Sequence, residues 1–226
     1  MATKMNVYVA DPNTVRDLSP DLLDEHGQLR VMPASYFKGT TPEERAVFCA
    51  RQAVYGLLTE ELVAWVKAFI GNRRAIEIGA GYGGLAQALD IHATDNHMQK
   101  RPEIASYYAL HRVKPITYGK NVEELDALDA VRRYQPEVVV ASWVTHKYEE
   151  SRHEAGGNMF GVVEEDILKH CKTYLFIGNT QVHQEKSIWA LPHVKLTPDW
   201  IYSRSINGSP DFIGLWGEIP ETLPPL

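Results

Sequence analysis

The sequence predicts an α/β fold: a doubly wound, mostly parallel sheet that ends in an antiparallel hairpin. Three observations carry this expectation. From Thr41 onward, short β-branched apolar segments alternate with stretches of helical apolar spacing. One of those segments, Glu137-Val138-Val139-Val140-Ala141-Ser142-Trp143, has the unbroken apolar character of a central strand covered on both faces. Near the end of the chain, Asn207-Gly208 stands between two aromatic, β-branched runs, Trp200 to Ile206 and Phe212 to Trp216. That is a hairpin signal, and Pro210 lengthens the connection.

Taken in order, Met5 to Ala10 is a short strand or an extended arm, and Asp11 to Phe37 is rich in turn residues. This stretch predicts an irregular cover with one short helix near Asp21, its Tyr36 and Phe37 either closing over a ligand or, as is commoner for such aromatics, docked on the core. Thr41-Pro42-Glu43-Glu44 is a strong helix start, with Thr as N-cap, Pro at the first position and Glu closing a capping box. Val47, Ala50, Val54, Leu57 and Leu58 follow at helical spacing, with Gly56 loosening the end. Thr59-Glu60-Glu61 begins a second helix, buried along Leu62, Val66, Phe69 and Ile70 and stopped by Gly71.

The helix pair leads into Arg74-Ala75-Ile76-Glu77-Ile78-Gly79-Ala80-Gly81-Tyr82-Gly83-Gly84-Leu85, followed by helix-forming residues through Leu89. A buried strand, a glycine turn and a helix start present free N–H groups to a ligand. Gly79, Gly81 and Gly84 satisfy G-x-G-x-x-G, the dinucleotide pattern. Glu77, Gly79, Gly81 and Gly83 satisfy E-x-G-x-G-x-G. Ile91-His92-Ala93-Thr94-Asp95 is a second strand ending in an acid, placed where a carboxylate can accept hydrogen bonds from ribose hydroxyls.

In these residues the chain resembles the class I S-adenosylmethionine (SAM) dependent methyltransferase superfamily. The resemblance implies a Rossmann-like, mostly parallel seven-stranded sheet with the C-terminal antiparallel hairpin, and SAM as cofactor. It places Gly79 and Gly81 beneath the methionine part of the cofactor and Asp95 on the ribose. Glu77, Tyr82, Gly83, Asn121 and Trp143 complete the expected cofactor-binding set. Specific residues support it only at Glu77 to Gly84 and Asp95, while the topology extends it from about Arg74 to Trp216.

Beyond Asp95, a polar stretch precedes Pro102, which opens a helix through Leu110. Ile116-Thr117-Tyr118 is the expected third strand, closed by Gly119. Lys120 and Asn121 then stand where the superfamily often has an acid against the adenine. Val122, Leu125, Leu128 and Val131 give the next helix an apolar side, ended by Pro136. After the central strand, Val144 to Asn158 is a long polar loop with two adjacent glycines, either a lid or a solvated loop. A helix marked by Val162, Val163, Ile167 and Leu168, a fifth strand over Lys172 to Asn179, and a last helix over 183 to 191 complete the core. The proline-rich tail from Pro220 is irregular. This divides the chain into an N-terminal cover with its helices (1–72), a SAM-binding unit (73–219) and a tail (220–226).

Methyl transfer from a sulfonium needs in-line placement and a lone pair more than a catalytic triad. His146, just past the central strand, is the base candidate, with Glu149 and Glu150 as alternatives. His146, Glu150 and His153 lack compact zinc spacing, and so do His92 and His97, so no metal is expected. Base-methylating members often carry Asn-Pro-Pro-Tyr or a Pro-Cys loop. Here Ala141 to His146 occupies the first position, and neither Cys49 nor Cys171 follows a proline. A net charge of -6 also argues against tracking phosphates. Nucleic acid is therefore disfavoured as partner, and a small-molecule acceptor, methylated on O or N, is expected.

With 226 residues, 44% hydrophobic and 23% charged, the composition is that of a globular protein. No apolar run is long enough to cross a bilayer, and the first 30 residues lack a signal core, so a cytoplasmic location without membrane attachment is expected. Two alternatives share the glycine pattern: a nicotinamide-dependent oxidoreductase, and a SAM-binding module without catalysis.

Overall fold

The computed structural model describes residues 14–226, so the segment Met5 to Ala10 lies outside the described residues. The cover consists of turns around α1 (Ser19–Leu22) and α2 (Ala34–Lys38). Leu18, Leu22 and Phe37 are buried, packed with Phe48, Cys49, Val54 and Leu57 in a satellite core. In α3 (Pro42–Gln52) the capping box is complete: Glu44 N–H donates to Thr41 Oγ1 at 3.2 Å, and Thr41 N–H to the Glu44 carboxylate at 2.8 Å. The helix stops at Ala53, in the left-handed region, earlier than the apolar spacing suggested; Gly56 instead lies on β1 (Gly56–Leu57). Thr59 caps α4 (Glu60–Ile70), taking Leu62 N–H at 3.0 Å and donating its hydroxyl to Trp200 O at 2.9 Å.

The alternation then runs β2 (Ala75–Ile78), α5 (Gly84–Leu89), β3 (His92–Asp95), α6 (Pro102–Leu110), β4 (Val122–Glu124), α7 (Ala127–Tyr134), β5 (Val138–Ser142), α8 (Glu164–Leu168) and β6 (Thr173–Asn179). The chain closes with β7 (His193–Leu196), β8 (Tyr202–Ser203) and β9 (Asp211–Gly217). The seven-stranded sheet has the order β4-β3-β2-β5-β6-β9-β7. The first five strands in that order run parallel, and β9 runs antiparallel to both β6 and β7. This is the Rossmann-like, mostly parallel sheet with an antiparallel end that the sequence predicts.

The central strand shows why its sequence carries no polar alternation. Val138 and Val140 face one layer, with α4, α5, Leu175, Ile177, Ile213 and Leu215. Val139 and Ala141 face the other, with Ile76, Ile78, Val131, Tyr174, Phe176 and Trp216. Both faces are covered, so both need apolar side chains.

Four expectations are corrected. The third parallel strand is Val122–Glu124, and not Ile116 to Tyr118. The earlier segment is extended but lies against Gln99, which accepts from Ile116 N–H at 2.7 Å and donates its own N–H to the Tyr118 hydroxyl at 3.2 Å. An edge strand tolerates the charges of Glu123 and Glu124, one of which pairs with His92. The apolar positions Val122 and Leu125 therefore precede the helix, which starts only at Ala127, with Asp126 as its N-cap. The last helix reduces to a 3-10 turn at Ser187–Ala190, because Lys186 turns inward to a buried carboxylate and Pro192 follows. The hairpin partner of β9 is β7, whose His-Val-Lys-Leu alternates exposed and half-buried positions. Tyr202–Ser203 pairs with β1 in a separate two-stranded sheet. Asn207 takes Ser209 N–H at 2.9 Å and donates to Asn179 at 2.8 Å, shaping a long connection, not a two-residue turn. Among the described residues no helix is long and apolar enough to cross a membrane.

Candidate functional site

The glycine turn joins β2 to α5. Gly79, Gly81 and Gly83 all have positive φ, at 60°, 55° and 76°. A β-carbon on Gly79 would stand 2.7 Å from Val144 Cγ2, and one on Gly83 2.5 Å from Val122 Cγ2. Both the backbone conformation and the space exclude other residues. The turn is clasped from three sides. Ala80 N–H donates to Thr94 O at 3.0 Å, Gly83 N–H to Ala80 O at 2.8 Å, and Gly81 N–H to Asp95 Oδ2 at 3.0 Å. Asp95 Oδ1 accepts from His97 N–H at 2.9 Å. Glu77 Oε2 accepts from Ala86 N–H at 2.8 Å, tying the strand to the helix that follows.

A cleft of about 250 Å³ opens over this turn, beyond the C-terminal ends of β2 and β5. β3 and β4 lie on one side of β2 and the rest of the sheet on the other, so the cleft sits at the topological switch point. Glu77, Gly79, Gly81, Tyr82 and Asp95 line it from one side, Trp143 and Val144 from the other. Tyr108, Ile116, Tyr118 and Phe160 also reach it.

The walls set the electrostatics. Burial, with the nearby Asp95 charge adding to it, pushes the Glu77 carboxyl up to about 8, although Ala86 N–H pulls the other way. Burial also raises Asp95, opposed by its hydrogen bonds from Gly81 and His97. Two carboxyls held above their ordinary range at one cleft favour a ligand that brings positive charge or hydroxyl donors. Desolvation raises the Tyr82 hydroxyl strongly, so it stays protonated.

Of the residues expected at the cofactor, Glu77, Gly79, Gly81, Tyr82, Asp95 and Trp143 share this cleft. Gly83 and Asn121 do not line it; Asn121 Nδ2 donates to Gly83 O at 3.1 Å and braces the turn from behind. Because the third strand starts after Asn121, Lys120 and Asn121 precede it. The residues that follow it are Leu125 and Asp126, and Asp126 accepts from Leu128 N–H at 3.0 Å as the cap of α7. Trp143 has a φ of 59°, a strained conformation for a large residue, and its indole meets the His183 ring edge-on at 5.0 Å.

His146 does not line the cleft. Its carbonyl accepts from Asn158 N–H at 3.0 Å, where the loop folds back on itself, and its Nε2 is buried without a hydrogen-bond partner. Burial and then the Lys186 charge lower its pKa. It therefore lacks the geometry of a base for a group bound above Gly79. Glu149 and Glu150 are exposed on the same loop. His92 and His97 pair with Glu123 at 2.8 Å and Glu124 at 3.0 Å, and no cluster of three or more His, Cys, Asp or Glu able to hold a metal occurs among the described residues. Cys49 and Cys171 are free thiols that burial pushes up to about 12.

Tyr55 and Tyr108, which line the cleft, and Arg204, which lines the adjoining pocket with Tyr55, come from three separate segments and carry no motif in the sequence. Nor does the sequence mark the ion pair beneath the cleft. Lys186 Nζ lies 2.8 Å from Glu164 Oε1, the two side chains 0% and 1% exposed, and donates to Val144 O at 2.8 Å. Tyr174 donates its hydroxyl to the same Glu164 oxygen at 2.9 Å.

No family model and no curated protein matches the chain. Among solved structures, it is similar to precorrin 8W decarboxylase from Methanobacterium thermoautotrophicum, with 15% identity over 72% of this chain and 92% of that one, at a TM-score of 0.38. It is also similar to precorrin-6y C5,15-methyltransferase from Geobacter metallireducens, with 14% identity over 71% and 89% of the two chains and a TM-score of 0.37. Likenesses this distant carry nothing about the chemistry of the present chain.

Proposed function

We propose that this chain is a SAM-dependent methyltransferase acting on oxygen or nitrogen of a small molecule. The observation that carries the reading is the clasp of Asp95 on Gly81 at the switch point, above a turn of positive-φ glycines and beside buried Glu77. The cleft fits the cofactor. A carboxylate offers about four lone-pair sites, so Asp95 can hold Gly81 and His97 and still accept from ribose hydroxyls. Gly79 and Gly81 bring bare backbone to the cleft wall, where the amino-acid portion would lie. A positive charge on the ligand would draw the raised carboxyls of Glu77 and Asp95 back toward their ionised forms, and in that sense they suit it.

Bound there, SAM would supply a methyl group activated by its sulfonium to an O or N lone pair of the acceptor, with S-adenosylhomocysteine and the acceptor's proton as the other products. The protein's part is placement and exclusion of solvent by Trp143, Tyr108 and Phe160 around the cleft. His146, the expected base, lies outside the cleft, so the reading requires an acceptor whose O or N is nucleophilic without one.

A second reading, a SAM-binding protein without transfer, is favoured by the position of His146 outside the cleft. The two separate when the protein is incubated with SAM and fractionated small-molecule pools. Formation of S-adenosylhomocysteine that is lost in Asp95→Ala supports the enzyme. Binding of SAM with no product from any pool leaves the module.

A further inference from the structure

Resting on the reading that the cleft holds a sulfonium cofactor, we infer that the pocket beside it, between Tyr55, Trp143 and Arg204, receives a planar acceptor bearing an anionic group. The pocket measures about 380 Å³ and shares Tyr55, Trp143 and Thr145 with the cleft, so a molecule seated in it reaches the same space. That volume suits a one- or two-ring molecule.

Arg204 is the reason for the negative charge. It is half-buried, its Cζ lies 4.7 Å from the Tyr55 ring centroid, and its backbone N–H donates to Tyr55 O at 2.9 Å. Among the described residues no carboxylate lies within ion-pairing distance of it, although the protein carries a net charge of -6. A partly desolvated guanidinium stacked on an aromatic face, with its donor fork free, is matched to a carboxylate or similar group. Next to it, the Ser205 hydroxyl is buried and has no hydrogen-bond partner, a second donor without an acceptor.

The aromatic walls are the reason for planarity. Tyr55 and Trp143 stand 6.0 Å apart at 38°, and Trp143 is held at positive φ where the cleft and the pocket meet. His183 packs edge-on against that indole and is kept neutral, its pKa lowered by burial to about 3, so it does not compete with Arg204 for the anion. The two adjoining spaces are thus opposite in character: carboxyls in the cleft and a lone cation in the pocket.

The test uses the full chain and three aromatic acids, 4-hydroxybenzoate, 3,4-dihydroxycinnamate and indole-3-acetate, each against its uncharged amide. Binding is followed by tryptophan fluorescence with and without S-adenosylhomocysteine. At least one acid is expected to bind about tenfold tighter than its amide, as charge-assisted hydrogen bonds allow. Arg204→Gln is expected to abolish that preference and leave S-adenosylhomocysteine affinity unchanged. Should that variant not fold, Ser205→Ala carries the test, weakening the acids but not the amides. Binding of none of the acids, equal binding of acids and amides, or a preference that survives removal of Arg204 overturns the inference. If acids are preferred but S-adenosylhomocysteine does not bind, the subsite stands and the methyltransferase reading fails; the converse result removes the subsite alone.

Discussion

Asp95, the last residue of β3, turns its carboxylate onto the amide of Gly81, Oδ2 accepting at 3.0 Å across the mouth of the cleft. One side chain thereby fixes the turn and lines the space above it.

Replacing Asp95 removes both roles. Asp95→Ala is expected to weaken SAM binding by about 1.5–3 kcal/mol, the range for losing hydrogen bonds to a charged group. Isothermal calorimetry reads it, and an unchanged affinity would place the ribose elsewhere.

Gly79 separates backbone conformation from steric room. Gly79→Ala meets both a φ of 60° and Val144 Cγ2 at 2.7 Å, whereas Gly208→Ala meets a φ of 77° with nothing within 4 Å. Each bears the backbone strain, of order 1–3 kcal/mol, and only Gly79→Ala adds the clash. Urea denaturation should rank Gly79→Ala as the more destabilising, and equal losses would show that Val144 simply moves aside.

The residues that made the fold legible are those whose local chemistry admits one solution. Thr41 and Thr59 mark helix starts, the glycines from Gly79 demand positive φ, and Val138 to Ala141 need two covered faces. The misplaced elements are those settled by distant partners. Ile116 to Tyr118 has strand-like residues but is held off the sheet by Gln99, while the polar Val122–Glu124 is accepted at an edge. Asn207-Gly208 is a good turn signal, yet Tyr202–Ser203 is claimed by β1, so the hairpin forms with β7. The cleft was legible as far as it is built from one continuous segment and the acid that follows. Tyr55 and Arg204 converge from opposite ends of the chain, and no spacing announces that.

The buried pair of Lys186 and Glu164 supports the loop after β5, because Lys186 also holds Val144 O. Lys186→Met alone strands a carboxylate in the core and is expected to cost about 3–5 kcal/mol. Adding Glu164→Leu should recover much of that loss. Chemical denaturation of both variants checks it, and a double variant no better than the single one would contradict the uncompensated charge as the cause.

Glu77 gives the protein a pH signature. Its carboxyl sits at about 8 in the folded chain against an ordinary 4.5. Below pH 4.5 both folded and unfolded chains are protonated there, and nothing is lost. Between 4.5 and 8 the unfolded chain ionises first, so stability falls as pH rises through that window. Asp95, also raised, adds slope of the same sign. Glu77→Gln should therefore show a flatter, though not flat, melting temperature across the window; parallel curves for wild type and variant would show that Glu77 is not the source.

Titrating the full chain with SAM, S-adenosylhomocysteine and NAD in the calorimeter tests the central claim most directly. The account predicts saturable binding of both adenosyl sulfur compounds and none of NAD. Binding of NAD with neither of the others would contradict it.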